Sequence, residues 1–464
     1  MILPKTLKNK LIFLNLGVFF SVCLWAALSL AQTGPSVSEN KPQTPTSNKE
    51  AADSLSTTEV LTGEKWLEFC TQADPNQLKS AIKNGAAPNF KTPNGLTPLM
   101  SAAGFNPNPD SIRVLLDNKA EPQAVELKFG LNALMFASAH NTNPKVITLL
   151  AQTGIDPSFQ NYQGGTALIQ AAANNPNPEI IQALIEAKAD VNASDSQGAT
   201  ALMHAAAFGK MPVVKRLISL KADLKAQDKK GDTALFWAAK NNPNPDVIQF
   251  LLQAGLKVNS VNKLGETPLF YASTNPNPLA VTTLINAGAN AKVKDQTGST
   301  ALFTACLSNT KLDTLRTLLS LGLNVNEVND EGVTPLMAAA ANPEISVTRY
   351  LLIEGADPNL REKRGRTALM LAAALNPNPM VLRILLECGA DPLIKDSNNQ
   401  TALYFASQNL NSDMLQVLNK FTTDQTTSAQ AQEKAPEKKE NLAGANQAQE
   451  KEGPRAPVAA EGKK

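Results

Sequence analysis

Residues 198–224 read GATALMHAAAFGKMPVVKRLISLKADL. Thr200 is a good helix N-cap. The apolar run behind it predicts a short helix that stops near Gly209. Val213, Val214, Leu217 and Ile218 then recur at helical spacing and predict a second helix. Lys221 stands where that helix should end, and Ala222-Asp223 opens a polar turn. Two helices this short cannot bury an apolar face alone, so the segment reads as one unit of a stack.

The same grammar recurs along the chain. Aligned on Gly-x-Thr-(Pro/Ala)-Leu, units begin at Gly95, Gly130, Gly164, Gly198, Gly231, Gly265, Gly298, Gly332 and Gly365, and a last one at Asn399. Successive steps are 33 to 35 residues. The second helices end at Gly255, Gly288, Gly322, Gly355 and Gly389, which can take a left-handed conformation. Lys119, Lys188 and Lys221 hold the same position, where a side chain costs about 1 kcal/mol if the geometry is kept. Residues 64–94 read as a degenerate capping unit ended by Gly85, giving eleven units in all.

With Thr-Pro-Leu, Val-Val-x-Leu-Leu and Gly-Ala-Asp-x-Asn in place, the chain resembles the ankyrin repeat family over about residues 64 to 421. Met, Phe, Ile or Tyr replaces the histidine that usually follows Thr-Pro-Leu. The resemblance implies an all-α solenoid of helix-turn-helix units with short β-turn fingers. It also implies a non-catalytic role, in which helix 1 and the fingers line a groove for a protein partner.

Five turns between the helices read Asn-Pro-Asn-Pro, at 106–109, 175–178, 242–245, 275–278 and 376–379. Pro243 disfavours the α conformation at Asn242 and so ends helix 1. Asn244 can cap helix 2, and Pro245 suits its first position. Turn and cap chemistry accounts for every letter, so the motif reads as structural rather than as a recognition edge. Asn143-Pro144 and Asn342-Pro343 look like shortened versions.

Across all 464 residues the net charge is +2, which argues against nucleic acid as partner. His140 and His204 are the only histidines, and no GxSxG, HExxH or phosphate-binding glycine loop is present. No enzyme, metal site or cofactor is therefore expected. Cys70, Cys306 and Cys388 are widely spaced and read as buried small hydrophobes.

Lys5, Lys8 and Lys10 precede an apolar run from Leu11 to Ala31. Residues 1–31 read as an export signal cut after Ala31, or as an uncleaved anchor. Export points first to a periplasm, with secretion or inner-membrane anchoring as alternatives. A membrane partner is expected only if the segment is retained. Residues 32–58 read as a disordered linker, 59–423 as the repeat domain and 424–464 as a disordered tail, on a monomeric chain.

The family's groove position falls on Ser101, Phe136, Gln170, His204, Trp237, Tyr271, Thr304, Ala338, Leu371 and Phe405. His204, Trp237 and Tyr271 come from consecutive units and make the strongest candidate patch, with Lys240 beside them and Phe136 towards one end. The rival reading packs these rings against the next unit. Lys229, Lys230, Asp295 and Asp330 would add rim charges.

Overall fold

The computed structural model describes residues 61–433 except 209, 309–310 and 410–411. The signal and linker readings (1–31 and 32–58) and most of the tail reading lie outside the described residues. Among the described residues, twenty-two helices pair into eleven units, from Gly63–Cys70 with Pro75–Lys83 to Ala402–Gln408 with Ser412–Glu433. First helices pack on first helices and second on second, forming an inner and an outer layer. The core runs unbroken between the layers, from Trp66 to Leu418. The last helix, Ser412–Glu433, runs past the expected end of the repeat domain at 423.

The expected caps are present in part: Thr233, Thr267, Thr300 and Thr401 stand at the N-cap without a side-chain cap bond. Thr97, Thr166, Thr200, Thr334 and Thr367 each accept a hydrogen bond from the backbone N–H three residues on, and Asn132 does so in threonine's place. Asn108, Asn143, Asn177 and Asn378 cap the outer helices, each followed by proline at the first helical position.

The first asparagine of each turn does more than end a helix. Asn106, Asn141, Asn175, Asn242, Asn275, Asn342 and Asn376 are all buried. Asn376 Nδ2 donates to the carbonyls of Ala340 at 2.8 Å and Asn342 at 2.7 Å, both in the preceding unit. Its Oδ1 accepts from the N–H of Asn378 at 2.9 Å. Asn106, Asn141, Asn175, Asn275 and Asn342 repeat the pattern, each reaching two carbonyls one unit back. The result is a ladder of side-chain amides stitching unit to unit. The second asparagine adds a rung: Asn143, Asn177, Asn277 and Asn378 each donate to a carbonyl of the preceding turn.

A second ladder runs through the fingers. Tyr162 N donates to Phe129 O, Ser196 N to Gln163 O, Lys229 N to Gln197 O and Lys263 N to Lys230 O, at 2.8 to 3.0 Å. Gly164 shows why glycine begins each unit. Its φ is +76°, and a Cβ there would lie 2.5 Å from Ser196 N in the next finger. Asn399 keeps the left-handed φ of 59° without being glycine. It lies in the last described finger, and among the described residues no further finger approaches it.

Two expectations need correction. Cys70 and Cys306 are buried, but Cys388 is exposed, because it follows the outer helix Pro379–Glu387 at its solvent end. Asp295 is buried, where it accepts the N–H groups of Thr297 and Ser299; it is a finger staple rather than a rim charge.

Asn376→Ala would strand two buried carbonyls and one N–H. We expect a loss of about 2–3 kcal/mol, against about 1 kcal/mol for the cap variant Asn378→Ala. Urea unfolding of the two variants side by side checks the order. Lys119, Lys188 and Lys221 do adopt φ of 67°, 69° and 68°. Glycine at any of the three should therefore stabilise the array by about 0.5–1 kcal/mol, after allowing for its greater freedom when unfolded. A higher thermal midpoint for each variant is the expected reading.

Candidate functional site

The fingers and inner helices meet at an angle, and one kind of contact recurs there. Asp195 Oδ1 accepts the N–H groups of Gln197 and Ala199, closing its finger. Its Oδ2 meets His204 Nε2 at 2.9 Å. One unit on, Asp228 Oδ1 accepts from Lys230 and Asp232, and its Oδ2 accepts Trp237 Nε1–H at 3.0 Å. In the next unit Asn262 holds the finger through the N–H groups of Leu264 and Glu266. The carboxylate now comes from Asp232, whose Oδ2 accepts the Tyr271 hydroxyl at 2.7 Å. Asn262 Nδ2 donates to Asp232 Oδ1 at 2.8 Å and lies 3.2 Å from the Tyr271 oxygen.

His204, Trp237 and Tyr271 are thus brought together, half-buried, each with its polar atom tied to a finger. The His204 and Trp237 ring centroids are 5.1 Å apart. Tyr271 stands edge-on to buried Phe236 at 5.4 Å. Lys240 joins the group, with its Nζ 5.9 Å from the Tyr271 ring centroid. Phe136 is half-buried two units away, near Gly104, and belongs to a different neighbourhood where Phe105 stacks on His140 at 5.2 Å.

The expected groove row is not uniform. Ser101, Gln170 and Thr304 are half-buried, but Ala338, Leu371 and Phe405 are buried, at 0%, 2% and 7% exposure. Apolar side chains at that end gain more by packing on neighbouring helices than by lining a wet groove. The sequence reading missed the carboxylates that hold the rings. The signal was there: Asp195 precedes His204, Asp228 precedes Trp237 and Asn262 precedes Tyr271 by the same nine residues.

Electrostatics follow the burial. Burial pushes the Asp232 carboxyl up to about 6; Asp228 adds to the rise, while hydrogen bonds from Asn262 and Tyr271 oppose it. Burial, then the Asp232 and Glu266 charges, pushes the Tyr271 hydroxyl well above its ordinary value, so it stays a donor. Burial alone would raise Asp195, but its bonds from His204 and from the Ala199 and Gln197 N–H groups outweigh this and lower it. Lys240 is an exposed residue. Even so, loss of water around its ammonium, then repulsion from Lys230, lowers its pKa.

Among the described residues, no group of three or more His, Cys, Asp and Glu side chains could hold a metal ion, and no helix is long and apolar enough to cross a membrane. Fold and site together define a repeat solenoid with a preorganised aromatic patch between fingers and inner helices. The family model for ankyrin repeats in three copies matches five overlapping windows: 67–161, 134–228, 202–295, 269–362 and 336–428. The chain belongs to the ankyrin repeat family.

Its curated relatives share short stretches. An ankyrin repeat and LEM domain-containing protein 1 homolog from Caenorhabditis elegans is 44% identical over 64 residues, covering 14% of this chain and 9% of that one. Ankyrin repeat family A protein 2 from Mus musculus is 49% identical over 47 residues, covering 10% and 15%. The chain thus spans a small part of the length of these relatives. Among solved structures, the human ASB11 ankyrin repeat domain is similar at 24% identity with a TM-score of 0.42, over 48% of this chain and 98% of that one.

Asp232 offers a pH test. Its folded pKa lies above the unfolded value of 3.8, so the fold favours the protonated form. That stabilisation is complete below about pH 4 and is lost as pH rises through about 6. Asp232→Asn should therefore be more stable than the parent at pH 7, by about 1–3 kcal/mol. The advantage should shrink towards zero near pH 4. Thermal midpoints across that range check both sign and window.

Proposed function

We propose that this chain is a non-catalytic protein-interaction scaffold acting outside the cytoplasm, with its partner held in the groove centred on Trp237. One observation carries the siting: His204, Trp237 and Tyr271 present consecutive half-exposed rings, each fixed by a hydrogen bond to a finger. Rings locked in this way lose little freedom on binding, and amphipathic aromatics supply both apolar area and a polar edge. The family supports the interaction role, since array folds bind proteins along this surface. Lys5, Lys8, Lys10 and the small-residue end at Ala31 support export.

A second reading keeps residues 11–31 as a membrane anchor, with 32–58 as its leash. The length of the apolar run favours it. The mass of the mature N-terminus separates the two: a start at Gln32 removes the tether, and a start at Met1 removes the cleaved form.

For the groove, a photo-crosslinking residue at position 237 in the native organism should capture a protein that the same residue at Gln249, on the outer layer, does not. Equal capture at both positions overturns the siting. Trp237→Ala combined with Tyr271→Ala should weaken that partner by at least about thirtyfold, with the circular dichroism spectrum unchanged.

A further inference from the structure

The near-zero net charge of the chain hides an uneven distribution. Residues 198–297 hold twelve lysines and arginines against six acids. Residues 61–197 hold nine against twelve, and residues 298–423 hold ten against twelve. The basic excess is therefore confined to the three central units, which also carry His204, Trp237 and Tyr271.

Burial sharpens the contrast. Of the six central acids, Asp228, Asp232 and Asp295 are buried at 8%, 3% and 8% exposure. Their oxygens are taken up by finger N–H groups and by the Trp237 and Tyr271 side chains. Lys225, Lys229, Lys257, Lys263, Lys292 and Lys294 are all exposed. None of these six pairs with a carboxylate among the described residues. They stand on three successive fingers and finger bases that are in hydrogen-bonded register: Lys229 N bonds to Gln197 O, Lys263 N to Lys230 O and Gln296 N to Leu264 O. Lys263 Nζ also reaches back to Lys229 O at 3.1 Å. The fold thus turns three of its six central acids inward and leaves six exposed lysines along successive fingers and finger bases.

We propose that the fingers of these three units form a docking edge for an acidic polypeptide segment, one rich in Asp and Glu whose apolar side chains rest on Trp237 and Tyr271. This rests on the groove reading above and adds the chemistry of the partner. Complementary charge steers encounter and selects partners, and the half-exposed rings supply the contact area. Protein is favoured over nucleic acid by two features. The six edge cations are all lysines, whereas the guanidinium fork is the better match to phosphate. The central arginine, Arg216, lies on the outer layer and is paired with Glu179.

The test measures fluorescence anisotropy of the full chain with three labelled probes. They are a peptide of repeating Glu-Glu-Phe-Glu, its Gln-for-Glu counterpart and a single-stranded oligonucleotide of similar length. The acidic peptide should bind at least about tenfold more tightly than the other two, and its affinity should fall as salt rises to about 0.3 M. The triple variant Lys229→Glu, Lys257→Glu, Lys263→Glu should lose that binding, and neutralisation of the same three to Gln should lose part of it. The control Lys65→Glu, Lys79→Glu, Lys83→Glu, on the capping unit, should change nothing. Thermal unfolding confirms that each variant is folded. Binding that is indifferent to peptide charge, or to the central reversal, overturns the proposal. So does tighter binding of the oligonucleotide, which would assign the edge to phosphate. A partner crosslinked at position 237 that ignores the lysine reversals would remove the acidic chemistry and leave the groove standing. Equal capture at positions 237 and 249 would remove the groove itself.

Discussion

The array hangs on a row of buried amides. In most units an asparagine at the end of the inner helix does two things at once; the helix Ala201–Ala207 ends instead at Phe208. It donates to carbonyls of the unit before, and it accepts an N–H of its own turn. Aspartate would lack the donor and would bring a charge into the core. Serine would lack the reach to span both partners. Only a short neutral amide meets both demands, and its fixed length sets the distance at which one unit sits on the next. The prolines around it hold the turn open for this purpose. They end one helix, start the other, and leave backbone groups that the amide then satisfies.

At the other end of the same helices the fingers are held by a different chemistry. There the acceptor is mostly a carboxylate: Asp195, Asp228, Asp295, Glu362 or Asp396, each closing a loop onto its own backbone. In three central units the same finger–helix contact carries a ring. Asp195, Asp228 and Asp232 fix His204, Trp237 and Tyr271, so one group of contacts stabilises the finger and orients the surface. The cost is a buried charge at Asp232 whose carboxyl is raised to about 6. The consequence is a local surface from which half of the acidic groups have been withdrawn.

The fold was legible in the sequence because its signals repeat. One unit alone is ambiguous, but the return of Gly, Thr and the Leu pair every 33 to 35 residues averages out local ambiguity. Even the strained lysines at 119, 188 and 221 could be named in advance, since their position in the frame dictates their φ. The asparagine ladder was half legible. The cap on helix 2 is a local interaction, visible from spacing alone. The bond from Asn376 to Ala340 joins residues 36 apart and follows only from how the units stack. Leu371 and Phe405 were misplaced for the same reason: helical phase says which side of a helix a residue occupies, but not how closely the neighbouring unit covers it. The anchors of His204 and Trp237 could have been found from their common spacing of nine residues, whereas Asp232 lies 39 residues from Tyr271. Their role depends on the finger curling back over the helix, which that spacing alone does not state.

The two ends of the inner helix thus divide the work. The turn end is built on the same buried asparagine in most units, because those units dock on their neighbours by the same geometry. The finger end is exposed past its staple, and there the residues vary freely: Ser196, Lys229, Lys263, Gln296, Asp330 and Lys363 occupy equivalent tips. Each unit touches only its neighbours, so a change at one tip stays local and leaves the remote turns intact. This separation lets the central fingers accumulate lysines and the inner helices accumulate rings without loss of the stack. A surface made in this way can be selective for a partner even though the scaffold beneath it is generic.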